Sequence, residues 1–282
     1  MQMSPRMFAL ATAAAIAVIA QPAIASAEDA ALKAAIAGPQ RGADHVARDA
    51  ARHPYESLEF WGVKPKATVI EISPGSGYWT EILAPYAKAT GGTYVAGVAD
   101  LANPKLSDGA RKGRADFEAK YADQAKFGPI TYVGFGPVSG PLGAPGSADV
   151  VITARNVHNW MGQPGMLDKV FKDFHDVLKP GGVLAVEEHR SDPTRAQVPG
   201  ASDGYVATDF VIATAEKAGF KLDAKSEINA NPKDTKDHPF GVWTLPPVRR
   251  SPAADKPDPS FDRAKYDAIG ESDRMTLRFV KQ

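Results

Sequence analysis

"VIEISPGSGYWTEIL", residues 69–83, decides how the rest of the chain is read. An apolar run ends in the acid Glu71, glycines follow at 75 and 77, and a helix-period pattern starts at once. Strand, tight turn and helix start in that order suit a nucleotide-like ligand. Glycine lets the backbone turn sharply and approach a bound molecule without a Cβ clash. The amides of the helix start then face that molecule. A dinucleotide turn, G-x-G-x-x-G, would need its third glycine at position 80, where this chain has Thr80. An acid two residues before the turn is not part of that fingerprint either. A nicotinamide-dependent oxidoreductase is therefore disfavoured.

Outward from the turn, strand and helix patterns alternate. Strands are expected at 67–73, 93–98, 130–135, 148–154, 183–188, 220–228 and 274–281, and helices at 78–89, 109–125, 165–178 and 205–218. Apolar strands alternating with helices argue for a mostly parallel sheet covered on both faces. No helical pattern separates the last two strands, so they are expected to pair antiparallel at one edge. Between them runs a proline- and charge-rich loop, 229–273, which is long for a compact domain. If strand 220–228 runs parallel to the others, that loop leaves from the carboxyl-end face, where open α/β sheets bind ligands. Residues 28–60 read as an N-terminal helical segment broken at Gly38-Pro39 and at Pro54. The remainder, 61–282, reads as one domain.

The first 27 residues stand apart. Arg6 is their only charge, followed by "FALATAAAIAVIA" and then "AIASA" before Glu28. A basic start, a short apolar core and a small-residue site at Ala25-Ser26-Ala27 describe a cleavable secretory signal. The core is short for a membrane span, so no stable span is expected after cleavage. Export to a periplasm is the expected destination. The chain carries 33 basic and 33 acidic residues, and loss of residues 1–27 leaves 32 against 33. That balance gives no sign of a nucleic-acid partner. There is no cysteine, which excludes thiolate metal sites and cysteine nucleophiles. With 44% hydrophobic residues in 282, the chain can bury a core without disulfides.

The pattern Glu71, Ser73, Gly75, Gly77 resembles motif I of the class I S-adenosylmethionine-dependent methyltransferases, with Ser73 where a first glycine is usual. Residues 60–282 follow that family's order. "SADVVITARNVHNW" (147–160) is similar to its fourth strand and following loop, and "VLKPGGVLAVEEH" (177–189) to its fifth helix, turn and strand. Within the family the chain looks most like a group of exported bacterial methyltransferases, to which "RDAARHPYESLEFWGVKP" (48–65) and "NPKDTKDHPFGVWTLP" (231–246) are also similar. The resemblance implies a Rossmann-like, seven-stranded, mostly parallel sheet with an antiparallel last strand and helices on both faces. It implies S-adenosyl-L-methionine as cofactor and methyl transfer to a small-molecule or cell-envelope acceptor. The alternative is an exported, non-catalytic ligand-binding protein of the same fold.

By that resemblance the turn at Ser73, Gly75 and Gly77 packs against the amino-acid part of the cofactor, Glu71 organises the turn, and Asp100 accepts the ribose hydroxyls. Asn156, in the loop after the fourth strand, joins the cofactor-binding set. A serine at 73 fits the turn if its φ is negative. In "RNVHNW" (155–160), His158 is the candidate catalytic residue: histidine titrates near neutrality and can take a proton from an oxygen or nitrogen nucleophile. The bland alternative has His158 bonding a loop while Trp160 packs over the adenine. Glu187, His189 and His158 could share a metal, but their spacing fits no metal motif and none is expected. His53 and Tyr55, with Asp237, His238, Phe240 and Trp243 of the long loop, could cover the cleft.

Overall fold

A computed structural model describes residues 29–282; the expected signal lies outside these residues. Seven strands form one sheet: β1 (Thr68–Ile72), β2 (Thr93–Ala99), β3 (Ile130–Phe135), β4 (Ala148–Ala154), β5 (Leu178–His189), β6 (Phe220–Ser226) and β7 (Arg274–Lys281). Their order is β3-β2-β1-β4-β5-β7-β6. The first five pair in parallel, and β7 lies antiparallel between β5 and β6. This is the Rossmann-like arrangement expected, with the antiparallel pair at one edge.

Side chains alternate across a strand, so each central strand feeds two cores. Ile70, Ile72 and Val151 face one core. Val69, Val150 and Ile152 face the other. Central β1 and β4 are thus apolar almost throughout, as strands buried on both faces are. Edge strand β6 shows a simple alternation of covered and exposed positions. The helix Met166–Val177 lays Met166, Val170, Phe171, Phe174 and Val177 on the first core. Each such large side chain contributes about 1.5–3 kcal/mol by leaving water. On the opposite face lies the helix Thr80–Thr90, with Ile82, Leu83 and Tyr86, joined by Leu32, Leu58 and Trp61 of the N-terminal segment.

Several boundaries differ from the sequence pattern for local reasons. The helix expected at 109–125 divides into Asp108–Lys120 and Gln124–Phe127, because Asp123 caps the second piece through the amides of Ala125 and Lys126. A short helix, Val157–Met161, precedes the one expected from 165. Strand β5 starts earlier than 183, since Leu178 pairs with Ala148 before an irregularity in register. In the N-terminal segment the break falls at His53, which adopts φ 43 between the turn Asp49–Arg52 and the helix Pro54–Phe60. The loop 229–273 contains a short extended piece, Pro239–Val242, and a helix, Arg263–Ile269. It leaves the carboxyl end of β6, which runs parallel to β1–β5. Among the described residues no helix is long and apolar enough to cross a membrane.

Candidate functional site

The chain runs from β1 to β2 on one side, while β4 pairs on the other side of β1. Such a switch in strand order leaves a crevice beyond the strand ends. A cleft of about 230 Å³ opens there, lined by Ile72–Ser76 after β1, Ala154–Asn156 and His158 after β4, His189 at the end of β5, and Val242–Trp243 and Leu245–Val248 of the long loop. The long loop therefore supplies part of the cleft wall.

The turn itself departs from expectation at Ser73, whose φ is 49, not negative. Its amide still continues the ladder, donating to the Gly97 carbonyl at 2.8 Å. The chain must then reverse at once, which places a non-glycine residue in the left-handed region. Such strain costs on the order of 1–3 kcal/mol and clusters at functional sites. The two glycines serve different ends. At Gly75 (φ 60) a Cβ would meet nothing within 4 Å, and the residue lines the cleft. At Gly77 (φ 89) a Cβ would lie 1.9 Å from the Tyr121 hydroxyl, so this glycine admits a packed side chain, away from the cleft lining.

Glu71 is buried beneath the turn, accepting hydrogen bonds from Thr80 Oγ1 at 2.9 Å and the Tyr94 hydroxyl at 2.5 Å. Burial pushes its carboxyl up to about 7, against the opposing pull of those hydroxyls. Thr80, the residue that spoiled the dinucleotide fingerprint, is thus what anchors the acid. Asn156 Nδ2 donates to the Ile72 carbonyl at 2.9 Å and to Thr153 Oγ1 at 3.3 Å, tying the ends of β1 and β4 together. Asp100 stands apart from these groups. It caps β2, accepts the Ala102 amide at 3.0 Å and lies over Gly134 of β3, outside the cleft lining.

His158 lines the cleft with its Nδ1 2.9 Å from Glu188 Oε1. The fully buried Glu188 carboxylate also accepts the amides of His158 and His189. A carboxylate on Nδ1 sets the proton there and leaves Nε2 as the acceptor nitrogen. His189 bonds Ser272 Oγ at 2.6 Å, and burial, reinforced by the charges around it, lowers its pKa well below the ordinary histidine value. The metal set weighed from sequence fails at Glu187. That residue faces the other side of β5, paired with Arg274 at 2.7 Å. Glu188 takes its place, and donor atoms of His158, Glu188 and His189 all lie within 4.8 Å of one another.

Trp160 is core, packed edge-on against Phe135 at 5.6 Å, and takes no part in the cleft. Of the candidate covering residues only Trp243 lines it, 6.1 Å from the His158 ring. Tyr55 instead receives the Asp29 amide, and His238 pairs with Asp234 at 2.8 Å.

Sequence reading missed the arginines. Arg155, at φ 61 just beyond β4, lines the cleft. Behind it, Arg52 and Arg274 are fully buried, and Arg48, Arg52 and Arg274 converge on Glu271 at 2.5, 3.1 and 2.6 Å. These guanidiniums hold the Glu271 carboxyl down to about 2, although burial alone would raise it.

No family model matches the sequence, and no curated protein matches it. Solved structures match its fold. The 4+2 cyclase SpnF gives a TM-score of 0.53 at 15% identity, covering 89% of this chain and 92% of its own. A SAM-dependent methyltransferase from Aquifex aeolicus gives 0.47 at 17% identity over 66% of this chain and 89% of that one. An N1-methyltransferase from Burkholderia thailandensis, with bound 1,6-didemethyltoxoflavin and S-adenosylhomocysteine, gives 0.44 at 13% identity over 90% and 79%. At such identities the likeness is one of fold.

Proposed function

We propose that this chain is an S-adenosylmethionine-dependent methyltransferase, exported to the periplasm, acting on a small-molecule or cell-envelope acceptor. The observation that carries the reading is the turn after β1. It has the acid, serine and glycine spacing of motif I, lies at the switch in strand order, and leaves Gly75 open to the cleft. An open position is what close approach of a ligand to backbone requires. Ser73, Gly75 and Asn156 would hold the cofactor's amino-acid half, while Glu71 and Gly77 shape the turn from behind. Asp100, one strand further along, would meet the ribose.

When bound, the cofactor supplies an electrophilic methyl group on a sulfonium. The chain's own part is to position the acceptor, exclude water beneath residues 242–248, and remove a proton. His158 is placed for that last task. Glu188 fixes its tautomer, so Nε2 can take the proton of an oxygen or nitrogen nucleophile as the methyl moves. Such general-base help is worth about 10²–10⁴-fold in rate. Fold alone does not dictate the reaction, as the cyclase of similar fold illustrates.

Calorimetry with S-adenosylmethionine, S-adenosylhomocysteine and NAD tests the binding step. The homocysteine product should bind and NAD should not; no heat from any of the three at millimolar concentration sinks the proposal. A screen for methylated products then separates an enzyme from a non-catalytic binder. His158→Gln should lower product formation by about 10²-fold or more while leaving S-adenosylhomocysteine affinity unchanged.

A further inference from the structure

We propose that Arg155 is an oxyanion-binding group, holding a carboxylate, phosphate or sulfonate of the molecule that fills the cleft. Its guanidinium makes no hydrogen bond or ion pair with any described residue, and its Nε is buried without a partner. The residue is half-buried, and a guanidinium held partly out of water without an ion pair is costly. Glu187 and Glu271 offset only part of that cost, and burial still leaves the Arg155 pKa lowered. Arg48, Arg52, Arg155 and Arg274 gather behind the ends of β4 and β5, while the carboxylates ion-paired to this group are Glu187 and Glu271. Three of the guanidiniums share these two carboxylates, which leaves Arg155 without an ion pair among the described residues. Arg52 shows the same deficit, with both terminal nitrogens buried and unpartnered. Burial, then the neighbouring Arg155 charge, lowers its pKa to about 9.

Arg155 is the member of this group placed to meet a ligand, since it lines the cleft beside Ser73 and Gly75. Its left-handed backbone is a strained conformation at the point of contact. The planar fork of guanidinium donors matches an oxyanion better than any neutral group. The same charges decide against a cation. His158, Glu188 and His189 offer metal-ligand atoms close together, yet Arg155, Arg274 and Arg52 all act on His189 as positive neighbours. A divalent ion there would add to the positive charge that already bears on His189.

The oxyanion has two possible sources. One is the amino-acid carboxylate of the cofactor, which rests on the methyltransferase reading; the other is an acid group on the acceptor, which does not. Calorimetry on wild type and Arg155→Met distinguishes them. Three probes suffice: S-adenosylhomocysteine, 5′-methylthioadenosine, which lacks the amino-acid group, and inorganic phosphate. Loss of about tenfold or more in S-adenosylhomocysteine affinity, with methylthioadenosine unchanged, assigns Arg155 to the cofactor carboxylate. Unchanged S-adenosylhomocysteine affinity, with phosphate binding lost in the variant, assigns it to the acceptor. If neither affinity differs, the proposal is overturned. Should S-adenosylhomocysteine fail to bind wild type, the function proposed above fails, and the phosphate titration alone still decides this one. A melting scan guards against a structural role. The ligand-free variant should melt at or above wild type, because a half-buried guanidinium without an ion pair is gone, and a fall of about 5 °C or more would count against the proposal.

Discussion

Two buried carboxylates flank the cleft and behave in opposite ways. Glu71 lies under the glycine turn against two neutral hydroxyls, with the Arg155 charge a lesser influence, and burial raises its pKa to about 7. Glu271 lies behind the ends of β4 and β5 among arginines, and they hold it at about 2 despite burial. Depth is similar in the two places, so depth does not set the charge; the partners do. Hydroxyls can solvate a carboxylate but cannot cancel it, and a proton then becomes the cheaper counter-charge. The consequence for the site is a turn with little net charge on one side of the cleft and a positive wall on the other.

Removing the charge of Glu271 should break the comparison most severely. Glu271→Gln leaves Arg48, Arg52 and Arg274 facing one another with Glu187 as the remaining carboxylate, and should cost about 3–5 kcal/mol in a urea titration. A loss below about 1 kcal/mol would show that water reaches the arginines and that the wall is not buried in effect.

The pH dependence sharpens the contrast, because the two acids have opposite signs. Glu71 binds its proton more tightly folded than unfolded. Its contribution is complete below about 4.5 and is lost as pH rises through about 7, a change of roughly 3 kcal/mol. Glu271 binds its proton less tightly folded. Its contribution is complete above about 4.5 and is lost as pH falls toward about 2. His189, held neutral, opposes Glu71 in this window, so the check is a difference: urea stability of wild type minus that of Glu71→Gln should decline as pH rises from 4 to 8. An unchanged slope in the variant would assign the titration elsewhere.

The turn's two glycines extend the comparison to sterics. Gly77→Ala drives a Cβ into the Tyr121 hydroxyl at a positive φ and should cost about 2 kcal/mol or more. Gly75→Ala meets no atom and bears only the left-handed penalty, about 1 kcal/mol. Ligand affinity should follow the reverse order, with Gly75→Ala weakening S-adenosylhomocysteine more than Gly77→Ala does. Thermal melts read beside calorimetry check both orders at once.

Much of this was legible in the sequence because it depends on neighbours along the chain. Strand, turn and helix follow from apolar periodicity and from two glycines, and the cleft's position follows from strand order. The exit of the long loop on that face was also foreseeable. What escaped depends on residues distant in the chain. Glu271 meets Arg48 across 223 positions, and no spacing rule links them. The choice between Glu187 and Glu188 turns on the phase of β5, since a one-residue slip exchanges the two faces. Trp160 and Asp237 looked as available to the cleft as Trp243 did. Core packing against Phe135 takes Trp160 away, and the packing of the loop separates Asp237 from Trp243.

The smallest expected effect bears on the residue where sequence reading and structure disagree. Ser73 holds φ 49, and a glycine there would remove the left-handed penalty of about 1–2 kcal/mol while adding chain entropy to the unfolded state. The net should be a stabilisation of about 0.5–1 kcal/mol for Ser73→Gly, within reach of a careful melting comparison. If the serine hydroxyl also touches the bound ligand, the same change should weaken S-adenosylhomocysteine, so that stability and affinity move in opposite directions. A gain in both would make Ser73 a strained residue without a role at the site. A loss of stability would show that the serine side chain holds the turn, and the neutral side of the cleft would then depend on more than Glu71 and its hydroxyls.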